Sequence, residues 1–451
     1  MDTLTAVTDE HAALAAELAA EGVEYALGAW IDVLGRARSK VVPIGHLPSL
    51  LAGSERYTPR GIDGLGQMNS CEPECIAVPD ASTAVVLPWD RRFVFFNADL
   101  NYGGTAQYAL CPRTILKNQL EVAAAAGYTF NLGVETEFYA LQPQPNPVRP
   151  VPTARSGLLR PTPAYDIEAS LDAMPFLGRM VSCMQQAGFG VFSFDHEGGE
   201  GQYEFDFEYA PALQMADRLS LFRLMARQVA KEFGLFATFM PKPFTGVWGS
   251  GHHFNMSLAD VETGANLFRD EAGWTKTARG FVAGILRHAP ALAAVATPTV
   301  NSYKRLSPRL GDGAISWAPV YAAYGDNNRS CMLRLPGNRP AVENRAVDAA
   351  ANTYLTAALM LAAGLEGIAE GWDPGEPVAT EAFDWTPGTA AAPRLPRTLL
   401  EAIEAFAADP LIATVFPAEF VSEYVAMKHD EWDDYHSQVT DWERDRYLYD
   451  L

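Results

Sequence analysis

Apolar and polar positions alternate along this chain in two rhythms, and the switches between them outline its elements. Residues 8–21 keep helical spacing, with Thr8 placed to cap the helix and Gly22 to end it. Two β-rich runs follow at 24–32 and 36–43, joined by a short Gly-containing turn that predicts a hairpin. Residues 54–80, rich in Gly and Pro, predict irregular chain, and 83–88 and 93–99 predict strands. Together these predict a small α+β unit over residues 1–105. A second rhythm starts with a helix at 112–125 and a strand near 130–141. After a proline-rich loop at 142–165 come a helix at 166–188, strands at 190–196 and 202–208, and a helix at 211–233. Strands at 236–240 and 252–258 follow, then helices near 273–295 and 347–369 and an acidic helical tail over 397–446. This second α+β unit, residues 106–451, predicts an antiparallel sheet with helices grouped on one side.

Charged residues interrupt the strand pattern in a few places. In GVETEFYAL, residues 133–141, Glu135 and Glu137 are two apart in an apolar run and so share one strand face. Burying such a pair without partners costs on the order of several kcal/mol, so either that face is wet or a cation lies against it. In DHEGGEGQYEFDFEY, residues 195–209, Glu197 precedes a Gly-rich turn, and Glu204, Asp206 and Glu208 then alternate with aromatic residues. A solvated acidic face explains that strand alone; two acidic strands in one unit suggest a common acidic funnel. In TGVWGSGHHFNMSL, residues 245–258, His253, Asn255 and Ser257 share a face. Residues 329–345 set Arg329, Arg334 and Arg345 around a single acid, Glu343. Taken singly, the histidine reads as a packed polar residue and the arginines as surface charge of little energetic weight. Taken together, glutamates with one histidine suit magnesium or manganese, and several arginines beside two such ions suit phosphoryl transfer from a nucleotide. No Gly-x-x-x-x-Gly-Lys-Ser/Thr loop is present.

Composition narrows the partners. A net charge of −21 over 451 residues argues against nucleic acid, and makes an anionic substrate depend on a metal or a local arginine cluster. Five scattered cysteines suit a reducing, cytoplasmic setting with free thiols. Cys71 and Cys75 lack a second pair at zinc spacing. Neither a signal peptide nor a membrane-length apolar run is visible.

These segments resemble the glutamine synthetase family, and the resemblance spans nearly the whole chain. Its carriers, in order, are GVETEFYAL, HEGGEGQYEFDFEY, MPKPFTGVWGSGHHFNMSL, VNSYKRL, NNRSCMLRLPG and VENRAVDAAANTYLTAALMLAAGLEGI. MPKPF and FDHEGGEGQYEF are similar to its type III branch. The resemblance implies a β-grasp-like N-terminal domain, a catalytic α+β domain, and active sites between subunits of a dodecamer of two hexameric rings. It implies ATP and two or three magnesium or manganese ions per site. By it, Glu137, Glu197 and Glu204 hold one metal, and Glu135, His253 and Glu343 the other. Arg305 grips the α-carboxylate of glutamate, Gly249 meets its amino group, and Glu137 and Trp248 border the substrate. Arg329, Glu343 and Arg345 serve the chemistry; Arg334, Ser257, Tyr209 and Asn255 serve the nucleotide.

The departures from the family pattern concern the amine. Counting back from Val78-Pro79-Asp80, the aspartate that meets ammonium in the family falls at Arg60, with Asp63 nearby. The flap glutamate falls at Gly311, beside Asp312, and Trp248 replaces a usual asparagine. Fewer acids and more aromatic surface (Tyr57, Trp248, Trp317) suit an alkylammonium better than ammonium. The expected reaction is γ-glutamylmethylamide formation from glutamate, ATP and methylamine, with ethylamine, which gives theanine, also accepted. Glutamine synthesis and γ-glutamylpolyamine synthesis are the alternatives. The stretch AFDWTPG, residues 382–388, stands where many bacterial members carry an adenylylation tyrosine.

Overall fold

A computed structural model describes residues 4–450 apart from 64–72, 104–105, 144–162, 312 and 386–390. Helix α1 (Asp9–Ala20) is capped by Thr8, whose side chain accepts from the His11 amide, and is followed by Gly22 at φ +92°. Strand β1 (Tyr25–Ile31) then pairs antiparallel with β2 (Ala37–Arg38) and β3 (Val41–Pro43), the hairpin that the sequence predicts. Short elements follow: α2 (Leu47–Leu51), β4 (Arg56–Tyr57) and α3 (Arg60–Asp63). Strands β5 (Cys75–Pro79), β6 (Val85–Val86) and β7 (Phe93–Tyr102) complete a sheet of order β2-β1-β7-β5-β4, with β1 and β7 parallel.

Two sequence expectations fail here. The stretch read as irregular contains β5, which adds to β7 through a long-range register that no local pattern announces. The strand expected over 83–88 shrinks to Val85–Val86, because Asp80 accepts from the Ser82 amide and winds 81–83 into a 3₁₀ turn. Cys71 lies outside the described residues; Cys75, Cys111, Cys183 and Cys331 are buried, the last three as free thiols.

Helix α4 (Pro112–Ala125) leads into the long central strand β8 (Tyr128–Leu141). Helix α5 (Ile167–Gln186), β9 (Val191–His196), β10 (Gln202–Phe207), β11 (Ala210–Pro211), α6 (Ala212–Glu232) and β12 (Phe236–Thr238) follow. Next come β13 (His252–Asp260), a hairpin of β14 (Arg269–Asp270) and β15 (Gly273–Trp274), α7 (Lys276–Ala296) and α8 (Ser302–Arg305). The sheet closes with β16 (Tyr324–Asp326), β17 (Leu333–Leu335) and β18 (Val342–Asn344), in the order β16-β17-β18-β13-β8-β10-β9. Its pairs are antiparallel except β16 with β17. This is the α+β class expected.

Alternate residues of β8, β10 and β13 fill the core on one face: Phe138, Phe205, Phe254 and Met256 are fully buried, Phe138 stacks on Phe205, and Phe222 of α6 meets both edge-on. Each such ring contributes about 1.5–3 kcal/mol by burial. Helix α9 (Thr353–Ala369) packs on α7, backbone close to backbone at Gly280, Gly284 and Gly367 and with the Phe281 ring over Gly364. A methyl on Gly284 would stand 1.9 Å from the Ala363 carbonyl oxygen, and one on Gly367 2.1 Å from that of Gly280. The tail forms α10 (Leu399–Ala408), α11 (Ile412–Val415), α12 (Ala418–His436) and α13 (Asp441–Tyr447).

Candidate active site

The face of the large sheet opposite that aromatic core carries the charged residues. Register builds it: Glu204 pairs with Glu137 on one side and Asp195 on the other, and His253 pairs with Glu135. Asn255 pairs with Glu343, and Glu343 with Arg334. Antiparallel partners point to the same face, so four strands deliver their carboxylates to one basin.

Two groups of ligand atoms there lie within 4.8 Å of one another: Glu137, Glu197 and Glu204, and Glu135, Glu204 and His253. Glu204 belongs to both. His253 Nδ1 stands 3.6 Å from Glu135, and Nε2 stands 3.8 Å from Glu137. Burial, then the charges of Glu135, Glu137 and Glu197, drive the Glu204 carboxyl well above its ordinary range. Burial and Glu197 raise Glu137; burial and Asp195 raise Glu197. Burial also works to raise Glu135, but His253 and Arg339 outweigh it and hold that carboxyl far below the usual range. Carboxylates that crowd together and repel, with one imidazole, fit hard divalent cations. Gly251 permits the crowding: a Cβ there would meet His253 at 2.6 Å, Glu137 at 2.8 Å and Arg305 at 2.9 Å.

Glu343, fully buried, stands 3.9 Å from His253, but its two oxygens accept from Arg334 and Arg345 at 2.6 Å each. Burial opposes its ionisation, yet Arg345, His253 and Arg334 hold its carboxyl below the usual range. The metal-sized groups therefore contain Glu204 where the resemblance put Glu343 beside Glu135 and His253. Arg305 is buried and donates to the Ala346 and Arg345 carbonyls at 3.0 and 3.1 Å. Among the described residues it has no carboxylate within 4 Å, and burial lowers its pKa. Arg329 is exposed, and its charge acts on Glu197. Gly249 packs on the Arg305 side chain, and its carbonyl accepts from Gln202 at 3.1 Å. Tyr209 and Asn255 meet over Gly133, with Ser257 on the same face of β13. Tyr209 is 70% exposed, an open ring beside the basin.

Several site residues escaped the sequence reading. Arg339 donates to Glu135 at 2.7 Å and to Asn255 at 2.8 Å. Its position four before Glu343 was the available signal. Gln202 donates to Glu137 at 2.9 Å and accepts from the Gly199 amide. Lys242 donates to the Val247 carbonyl, tying down the loop that carries Trp248 and Gly249; burial, then Arg305, push its pKa down to about 8. Asp195 is pushed up to about 7 by burial and its acidic neighbours.

The residues expected around the amine are dispersed. Arg60 donates to Glu419 at 2.6 Å and Glu423 at 3.2 Å on α12. Trp248 packs on the Gly198 backbone, and its carbonyl accepts from Tyr139 at 2.7 Å. Trp317 is 48% exposed at φ +62°, edge-on to Phe383. Tyr57 is core, its hydroxyl accepting from the Lys40 amide and its ring against Trp30. Gly311 is exposed; Asp312 and the Asp63 side chain lie outside the described residues.

A carboxylate basin flanked by arginines suits divalent cations and phosphate-bearing substrates, and the family match makes the chain an acid–amine ligase. The chain belongs to the glutamine synthetase family: the model described as "Glutamine synthetase, catalytic domain" matches residues 109–447. A glutamate–methylamine ligase from Methyloversatilis universalis is 36% identical over 435 residues, 94% of this chain and 96% of that protein. A glutamine synthetase from Rhizobium leguminosarum bv. phaseoli is also 36% identical, over 96% of this chain and 99% of that protein. Solved structures described as a GmaS/ADP complex and as GmaS without ligand superpose with TM-score 0.87 at 34% identity, over 96% of this chain and 99% of theirs. The family forms amides on glutamate with ATP and divalent metals. Among the described residues, no helix is long and apolar enough to cross a membrane.

Proposed function

We propose that this enzyme joins L-glutamate to a small alkylamine, methylamine first and ethylamine second, giving the γ-glutamylalkylamide, ADP and phosphate. The observation that carries the choice of amine is Arg60. At the position where the family's ammonium-binding aspartate falls stands a cation already neutralised by Glu419 and Glu423. An ammonium ion needs acceptors on every side; a methylammonium needs fewer acceptors and an apolar wall, to which an aromatic ring contributes about 0.5–2 kcal/mol. Trp248 supplies that wall. The similarity to a glutamate–methylamine ligase supports the same reading.

In this reading Arg305 takes the α-carboxylate, since it is a buried guanidinium with carbonyl contacts and, among the described residues, no carboxylate within 4 Å. Gly249 faces the amino group, and Glu137 and Trp248 border the side chain. Tyr209, Asn255 and Ser257 seat the adenine, and Arg334 meets the phosphates. When bound, magnesium or manganese, held by Glu135, Glu137, Glu197, Glu204 and His253 with Glu343 close by, offsets the charge of the phosphate oxygens. Arg329 neutralises charge on the transferring phosphoryl group as γ-glutamyl phosphate forms, and Arg345, fixed by Glu343, orients the receiving carboxylate. The amine then displaces phosphate. The domains divide at residues 1–105 and 106–451, the enzyme works in the cytoplasm, and its sites complete themselves between subunits of a dodecamer.

ADP release with glutamate, ATP and magnesium, varying only the amine, tests this. A kcat/KM for methylamine at least about tenfold above that for ammonium, or about 1.4 kcal/mol, is expected. Ammonium ahead would make the enzyme a glutamine synthetase, as an equally similar relative is named. Putrescine ahead would make it a polyamine ligase.

A further inference from the structure

Although the chain carries a net charge of −21, one cavity is lined by guanidiniums. It holds about 450 Å³ between the turn after β1, the helix α6, the strand end at Phe239–Pro241 and α12. Arg223 and Arg227 are four apart on α6, on one helix face, and Arg36 comes from the turn. Both α6 guanidiniums lie over the Phe239 ring, at 5.7 and 5.6 Å, which fixes their direction. Among the described residues none of the three guanidiniums has a carboxylate within 4 Å; the Asp32 carboxylate meets Arg36 only at its backbone amide, at 2.8 Å. Glu431, the acid lining the cavity, is bound to Lys428 at 2.8 Å and to the Val300 amide at 3.1 Å. Like charges held together without counter-ions are otherwise unfavourable, and forked donors suit oxyanions.

The cavity backs onto the candidate active site. Arg223 donates to the Ala349 and Ala351 carbonyls at 2.8 and 2.6 Å, as Arg305 does to those of Arg345 and Ala346. Between them lies Asp348, fully buried, with one carboxylate oxygen lacking a hydrogen-bond partner among the described residues and both arginines acting on its charge.

We propose that this cavity binds a small oxyanion, a phosphate or a dicarboxylate, through Arg36, Arg223 and Arg227, and that its occupancy raises KM for glutamate. An anion there offsets the charge of Arg223, leaving Asp348 to act on Arg305 alone. Arg305 then attracts an incoming carboxylate less. The effect on KM rests on the reaction proposed above; the binding does not.

Calorimetric titration of the purified assembled protein with sulfate and, separately, succinate separates the two. One saturable site per chain is expected, weakened about tenfold by the double substitution Arg36→Gln and Arg227→Gln. Sulfate binding alone identifies a phosphate-type ligand, succinate alone a dicarboxylate. The preferred probe should raise the glutamate KM about three- to tenfold in the parent and leave it unchanged in the double variant. The single substitution Arg36→Gln, on an exposed turn, keeps the test open if the double variant melts early. Equal affinity in parent and variants, or no saturable binding, overturns the proposal; the guanidiniums would then be met by acids of a second copy.

Discussion

Two clusters in this molecule are built from the same materials and differ in how those materials are paired. Around Arg113 every charge has a partner. Its guanidinium donates twice to Asp217 at 3.0 Å, to Asp99 at 2.9 Å and to Asp80 at 3.0 Å. Lys117 completes Asp99, and Tyr354 completes Asp217 at 2.6 Å. That cluster ties the small sheet to α4, α6 and α9. In the basin, Glu137, Glu197 and Glu204 face one another, and among the described residues Glu204 accepts no hydrogen bond. The number of buried charges does not distinguish a strut from a site. The residual, unpaired charge does, because only that is left for a ligand to neutralise.

The largest effect that sharpens the contrast is Glu204→Gln. It should lower kcat/KM by about three to four powers of ten while leaving the metal-free protein as stable or more so, since it removes repulsion rather than a bond. Steady-state rates and a urea titration check both halves; a destabilised variant would mean that Glu204 is a strut after all. Arg113→Leu should do the reverse, costing about 3–5 kcal/mol of stability by stranding three carboxylates. A midpoint unchanged in urea would remove the distinction between the clusters.

Asp348 gives an intermediate effect. Burial pushes its carboxyl up to about 6, against the pull of Arg305, so the folded state holds this proton more tightly than the unfolded chain. Its contribution to stability is complete below about pH 4 and is lost as pH rises through 6. Asp348→Asn should therefore flatten stability between pH 4 and 6 and stabilise at pH 7 by an amount on the order of 2–3 kcal/mol. Urea midpoints across that range would show an unchanged slope if the assignment is wrong. The smallest effect belongs to Gln202→Ala, which frees Glu137 without touching its charge. Magnesium affinity, read by calorimetry, should weaken about tenfold.

Most of the basin was legible in the sequence because strands advertise their faces locally. Glu135 and Glu137 need only a period of two to be placed together, and Glu204 and His253 follow by the same rule. Gln202, Arg339 and Arg60 were not legible as they act. Arg339 reaches Glu135 across 204 residues, and Arg60 meets Glu419 across 359. No local period carries such pairings. The same limit hid β5, whose strand character comes from β7, and the cavity of Arg36, Arg223 and Arg227. Helix α6 was visible as a helical pattern, but no local signal placed Arg223 and Arg227 beside the turn after β1. The 83–88 stretch failed for the opposite reason: a single aspartate side chain outcompeted a good β pattern.

The contact between α7 and α9 bears on any attempt to transplant specificity between relatives. Backbone meets backbone there, and Asn352, which caps α9, also donates to the Asp32 and Val33 carbonyls in the turn after β1. A chimera that takes one of these helices from a relative with a larger residue at Gly284 or Gly367 would have to take the other. The loops that carry Trp248 and Gly311, expected at the amine by the family resemblance, lie outside that pair and can be exchanged on their own. Graft boundaries belong at those loops, with the helix pair and its cap moved as one cassette or left in place.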